Sequence, residues 1–177
     1  PVRDDDYSLN AFASPGLAAD SGLNVTSVLD SIFADPTWCE PNENALVCEY
    51  RVTNSALALI MFGTNDVAFF EADFFDYYMR QIVMETISTD IVPILYTIPT
   101  RPEFPDKVID FNKVIVSIGR DYDLPVVNLW AAIQELPDAG IDPLDPIHLS
   151  LPQDGRAGDL TEDNLRYGYT VRNLLTL

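Results

Sequence analysis

The sequence predicts an α/β fold, a doubly wound parallel sheet with helices on both faces in three layers, and three observations carry that reading. Three short, predominantly apolar runs, 57–62 (LALIMF), 91–98 (IVPILYTI) and 124–129 (LPVVNL), have the length and composition of strands buried on both sides. The segments between them repeat apolar residues at helical spacing. Strand, helix, strand, helix, strand is the order in which crossover helices join parallel strands.

Taken along the chain, the first element is a short apolar-periodic stretch in 22–29 (GLNVTSVL), entered through Ser21-Gly22. The segment CEPNENALVC, between Cys39 and Cys48, reads as a surface loop closed on itself. A bridge there would point to an oxidising compartment; two reduced cysteines are the alternative. A helix over 69–89 places Phe70, Phe74, Tyr77, Tyr78, Ile82 and Met84 or Glu85 on its inner face. A second, over 106–121, does the same with Val108, Phe111, Ile115 and Ile118. Pro, Asp and Gly crowd 137–158, which reads as loop. The stretch 161–177 reads as a last helix, capped by Thr161, with Leu165, Tyr169, Leu174 and Leu175 facing inward.

Composition bounds the function. The 177 residues carry 10 Lys+Arg against 28 Asp+Glu, a net charge of −18, and 47% are hydrophobic, which suits one domain over 1–177 with a real core rather than a disordered acidic tail. Such a charge repels phosphate backbones and anionic headgroups, so nucleic acid is not an expected partner. The longest apolar run, 56–62, is far shorter than the roughly 20 residues that cross a bilayer, so no membrane span is expected. With one histidine and no CxxC pair, no metal or other cofactor is expected. The chain starts at Pro1 without a basic, apolar leader, which reads as a processed chain or part of a longer one.

In open parallel sheets the ligand crevice lies beyond the carboxyl ends of the strands. There the sequence places Gly63-Thr64-Asn65-Asp66 after the first run, Arg101 after the second, and Asp145 and His148 after the third. His148 is the only imidazole, and an Asp three residues earlier can reach Nδ1 and fix its tautomer; a surface histidine beside a solvated Asp is the plain alternative. Asn65 can aim its side-chain NH₂ into the crevice, or simply end the strand in an Asx turn. Gly22 can offer a backbone N–H at a helix entry. Asp66 reads as a cap or turn residue. Arg101 can meet a substrate or form an ion pair. Asn24-Val25-Thr26 fits a glycosylation sequon, but a bulky glycan beside Gly22 is not expected.

Together these residues resemble the SGNH hydrolases, also called GDSL lipases or esterases. SGLNVTSVLD is similar to the family's second block with its glycine at Gly22, FGTND to the third at Gly63 and Asn65, and Asp145 to His148 to the DxxH of the fifth. The resemblance implies a flavodoxin-like sheet and a serine esterase acting on acyl or acetyl esters of a lipid or carbohydrate. Asp145 would orient His148 as base, and Gly22 and Asn65 would bind the oxyanion. It also implies a nucleophile block, a GDS-type strand ending in serine, ahead of Gly22. Ser8, Ser14 and Ser21 lack that context, so the nucleophile and the first, central strand are expected to be absent from this chain, and Pro146 stands where the family often has glycine. The expected protein is secreted or extracellular, this chain alone inactive. The alternative is a non-catalytic glycan- or protein-binding module with the same fold. Neither substrate identity nor oligomeric state is readable.

Overall fold

The computed structural model describes residues 16–19 and 22–177; Ser8, Ser14 and Ser21 lie outside them. Its centre is a parallel sheet of β1 (Leu57–Ile60), β2 (Val92–Tyr96) and β3 (Val126–Val127), in the order β1-β2-β3. Leu57 pairs with Val92 and Leu95 with Val126. All three apolar runs become strands, each shorter than its run. The third is cut to two residues because Asn128 caps the next helix, α4 (Leu129–Ile133), by accepting from Ala131 N–H.

One face of the sheet is covered by α1 (Ala45–Thr53), α2 (Ala72–Ser88) and α3 (Pro105–Asp121). Val108, Phe111, Ile115 and Ile118 of α3 are all buried, as their spacing predicts, and Phe111 stacks on Phe75 of α2 at 4.2 Å. Gly119 ends that stripe because a Cβ there would lie 2.2 Å from Val126 Cγ2, so α3 can approach β3 only with glycine. The inner face of α2 differs from the expectation. It buries Phe75, Met79, Ile82, Val83 and Thr86, whereas Phe74 and Tyr77 are exposed. Two stripes of helical spacing run side by side here, and the sheet takes the aliphatic one. The aromatic one packs on itself, with Phe70–Phe74 and Phe74–Tyr78 centroids 4.5 and 4.8 Å apart.

The opposite face carries a smaller core in which Tyr96 meets Leu129, Ile133, Ile141 and Leu149. Two of these come from a segment expected to be loop. Residues 137–158 contain an antiparallel hairpin of β4 (Ile141–Asp142) and β5 (Asp145–Leu149), turned by Asp142, whose Oδ1 accepts from Leu144 N–H at 2.9 Å. The last helix is also shorter than expected. A 3-10 turn, Asn164–Arg166, precedes α5 (Gly168–Thr176), and Thr161 serves the turn through its backbone carbonyl rather than capping α5. Leu174 and Leu175 are exposed, not inward. On this same face Leu57 and Leu59 of β1 remain 56% and 53% exposed, and the outer edge of β1 pairs with no strand among the described residues.

Cys39 and Cys48 form a disulfide with Cα atoms 5.2 Å apart, as expected, but the enclosed segment is not all loop. Asn44 accepts from Val47 N–H at 2.9 Å and starts α1 inside it, so the bridge ties a loop to a helix whose inner residues, Ala45, Leu46 and Tyr50, are core. Among the described residues no helix is long and apolar enough to cross a membrane. On the chain-entropy account, replacing both cysteines by serine costs about 2.5 kcal/mol, a fall in Tm of roughly 5–10 °C for a chain of this size. Thermal unfolding of the double variant checks this; a shift under about 1 °C would mean that the closed loop constrains nothing.

Candidate active site

Past Ile60 the chain turns sharply at Gly63, whose φ is +125° and where a Cβ would come within 2.9 Å of Ile98. The turn delivers Thr64, Asn65 and Asp66 to the carboxyl end of β1. Asp66 is fully buried; its Oδ2 accepts from Gly63 N–H at 3.0 Å and its Oδ1 from Val25 N–H at 2.9 Å. One carboxylate thereby joins the end of β1 to the segment that follows Gly22. Burial pushes this carboxyl above its ordinary value of 3.8, opposed by the two amide bonds.

The two expected oxyanion donors, Asn65 and Gly22, sit on either side of that joint. Asn65 Nδ2 donates to Leu23 O at 2.8 Å, which fixes the amide plane and leaves a second N–H unspent. Gly22 is exposed at φ +82°, and its N–H donates to no backbone carbonyl among the described residues. Asn24 holds the loop between them, its Oδ1 accepting from Thr26 N–H, Thr26 Oγ1 and Ser27 N–H. The sequon asparagine is therefore engaged in the loop itself. Arg101 resolves to structure rather than substrate contact: its guanidinium is 7% exposed, donates to Thr64 O at 2.7 Å, and pairs with Glu103. It buttresses the turn one residue before Asn65.

His148 and Asp145 lie on β5, with Nδ1 and Oδ2 2.8 Å apart and both side chains exposed. The hairpin is seated by Leu149 in the smaller core and by Ser150, whose Oγ donates to Gly140 O and accepts from Gly168 N–H at the start of α5. In turn α5 forms one wall of a trough of about 470 Å³. Arg172, Asn173 and Thr176 line that wall, Leu59, Met61 and Tyr96 the floor, and Leu23, Gly63, Thr64 and Asn65 the end. The four expected residues thus come as two pairs, Gly22 with Asn65 and Asp145 with His148. Of the four only Asn65 lines the trough. Sequence reasoning missed Asp66 as the joint, since its partner Val25 is 41 residues away, and Arg172, whose guanidinium stacks on Tyr169 at 4.8 Å. Cys39, Glu43 and Cys48 cluster tightly, but the disulfide leaves them no thiolate to offer a metal.

No family model matches the chain, and no curated protein does. Solved structures do. A W190I form of Axe2, an acetyl-xylooligosaccharide esterase from Geobacillus stearothermophilus, superposes with a TM-score of 0.60 at 17% identity, over 89% of this chain and 67% of its own. The fold is that of the GDSL-type esterases. The lipase/acylhydrolase from Enterococcus faecalis gives 0.52 at 22% identity, over 72% of this chain and 65% of its own. The matches include catalytic mutants of Axe2 in which a serine or a histidine is replaced by alanine. The chain spans about two thirds of the length of these GDSL-type structures.

Because the folded state raises the Asp66 carboxyl above 3.8, it binds that proton more readily than the unfolded chain does. Stability from this group is greatest at low pH and is lost as pH rises through the folded value. Relative to Asp66→Asn, which cannot titrate, the wild type therefore gains stability between about pH 7 and about pH 4. Urea midpoints of both proteins at the two pH values check this, and a difference that is flat or opposite in sign contradicts the assignment.

Proposed function

We propose that this chain is the larger part of a secreted serine esterase of SGNH type, acting on acyl or acetyl esters of small molecules or carbohydrates, whose nucleophilic serine comes from a segment outside the described residues. The observation that carries the reading is the 2.8 Å contact between Asp145 Oδ2 and His148 Nδ1. It leaves Nε2 as the outward nitrogen, the atom that must take a proton from a hydroxyl nucleophile. The donors near Asn65 and Gly22 supply the complementary half, an oxyanion site at the carboxyl end of a parallel strand.

In this mechanism His148 Nε2 accepts the serine proton as the serine oxygen bonds to the ester carbonyl carbon, and Asp145 stabilises the imidazolium formed. The carbonyl oxygen, now anionic, accepts from Gly22 N–H, Asn65 Nδ2 and the N–H of the serine itself. Collapse breaks the bond to the leaving alcohol, which takes its proton from His148. Water repeats the sequence on the acyl-enzyme and releases the acid. The uncovered edge of β1, with Leu57 and Leu59 exposed beside the trough, supports a further parallel strand there, since parallel sheets bury both faces. The greater length of the GDSL-type structures agrees with this. The disulfide supports an oxidising compartment. A second reading, a binding module with this fold and no nucleophile, draws on one observation: Ser150, two residues from His148, spends its hydroxyl on Gly140 and Gly168 instead.

Turnover of p-nitrophenyl acetate separates the two. This chain alone should be near background, and the chain preceded by its native upstream sequence should be active. In the latter, Asn65→Ala lowers kcat by about 10²–10³ and His148→Ala by more. Robust activity of the chain alone, untouched by serine-directed inhibitors, would sink the proposal. So would activity of the extended protein that survives loss of His148.

A further inference from the structure

On the α2 side of the molecule, away from the trough, lies a second cavity of about 460 Å³ between the 3-10 turns Ser27–Leu29 and Ser31–Phe33, the chain before α1, and α2 itself. We propose that it is a binding site for a neutral saccharide. Its walls bring together hydrogen-bonding groups that the fold leaves unspent. Gln81 lines the cavity, and its Nε2 has no hydrogen-bond partner among the described residues. The side chains of Asn42 and Ser31 form no hydrogen bond among the described residues, and Asp30 commits only Oδ1, to Ile32 N–H, leaving Oδ2 open. By contrast Asn44 is anchored, its Oδ1 on Val47 N–H and its NH₂ on Glu85, and so forms a rigid part of the floor.

The chemistry of this lining selects its ligand. Among the described residues no Lys or Arg contributes, and one carboxylate faces in from a chain of net charge −18, so phosphates, carboxylates and acidic sugars are repelled. What remains is a mix of amide donors and acceptors, a hydroxyl, a carboxylate acceptor and the phenol of Tyr78, which suits a ligand that both gives and accepts hydrogen bonds at every position. Tyr78 adds a ring held by Phe74 at 4.8 Å and by Tyr77 edge-on at 5.2 Å, a fixed apolar surface against which sugar C–H groups can pack. Neutral hydroxylated rings meet all three conditions at once: hydrogen bonds of both senses, one apolar face, and no charge. The site shares its segment with the candidate oxyanion loop, since Gly22 begins the stretch that ends at Ser31. It stands independently of the esterase reading.

The test is binding, measured on this chain by NMR with neutral trisaccharides (xylotriose, maltotriose and cellotriose) as probes, trigalacturonate as the anionic control and trialanine as the peptide control. At least one neutral probe should bind with a dissociation constant on the order of 1 mM, shifting the side-chain amides of Gln81 and Asn42 while leaving that of Asn65 in place. Gln81→Leu and Tyr78→Ala should each weaken it by about tenfold or more. Asn42→Gly, at an exposed rim position whose φ of +68° glycine adopts without strain, should weaken it without lowering Tm, which keeps the test valid if a floor variant misfolds. No saturable binding of any neutral probe up to about 20 mM overturns the proposal, as does binding indifferent to all three substitutions, or preference for trigalacturonate or trialanine.

Discussion

The arrangement of the candidate active site depends on one buried carboxylate. Asp66 accepts from Gly63 at the end of β1 and from Val25 on the loop that begins at Gly22, so two segments far apart in sequence are held at a fixed spacing by two hydrogen bonds to the same group. Each neighbour of Asp66 adds to the joint: Asn65 reaches back to Leu23, and Arg101 pins the carbonyl of Thr64. Burying a carboxylate is costly, and the fold tolerates it because the charge-assisted bonds replace part of its lost hydration. An oxyanion site needs its donors preorganised before charge develops, and a rigid, dry joint between the two donor segments is a way to do that.

The two faces of the sheet differ in how completely they are covered. On the α1–α3 side the core is continuous, from Val25 and Val28 through Phe75 and Phe111 to Ile118. On the other side α4, α5 and the hairpin cover β2 and β3, while β1 keeps exposed leucines and an outer edge that pairs with no strand among the described residues. The trough lies where a layer is thin, and Asn65 closes its end. An uncovered edge strand is a liability for association as well as a place for a further strand.

Much of this was legible in the sequence wherever the determining contacts are local or periodic. The α3 stripe is buried at all four expected positions, and Asp145 and His148 meet at the short spacing at which a turn or strand brings them together. The α2 stripe was misassigned because Phe74 and Tyr77 repeat with the same period as Phe75, Met79 and Ile82, and periodicity cannot say which stripe a sheet will choose. The hairpin was hidden by Pro143, Pro146 and four nearby Asp residues, all turn formers, although Ile141 and Leu149 supply its buried ends. The start of α1 was masked by the loop-like CEPNEN in front of Asn44. Asp66 looked like an ordinary turn residue because half of its role is a bond to Val25, a contact across 41 positions that no local pattern announces.

The central claim is that the Gly22 loop and Asn65, locked together by Asp66, form one oxyanion site served by His148. The most direct measurement is a crystal structure of the chain with its native upstream sequence after reaction with diethyl p-nitrophenyl phosphate. The account predicts a phosphorylated serine whose phosphoryl oxygen lies about 2.7–3.1 Å from Gly22 N and Asn65 Nδ2, with His148 Nε2 beside the modified oxygen. An adduct whose phosphoryl oxygen points to solvent, or a modified serine remote from His148, would contradict it.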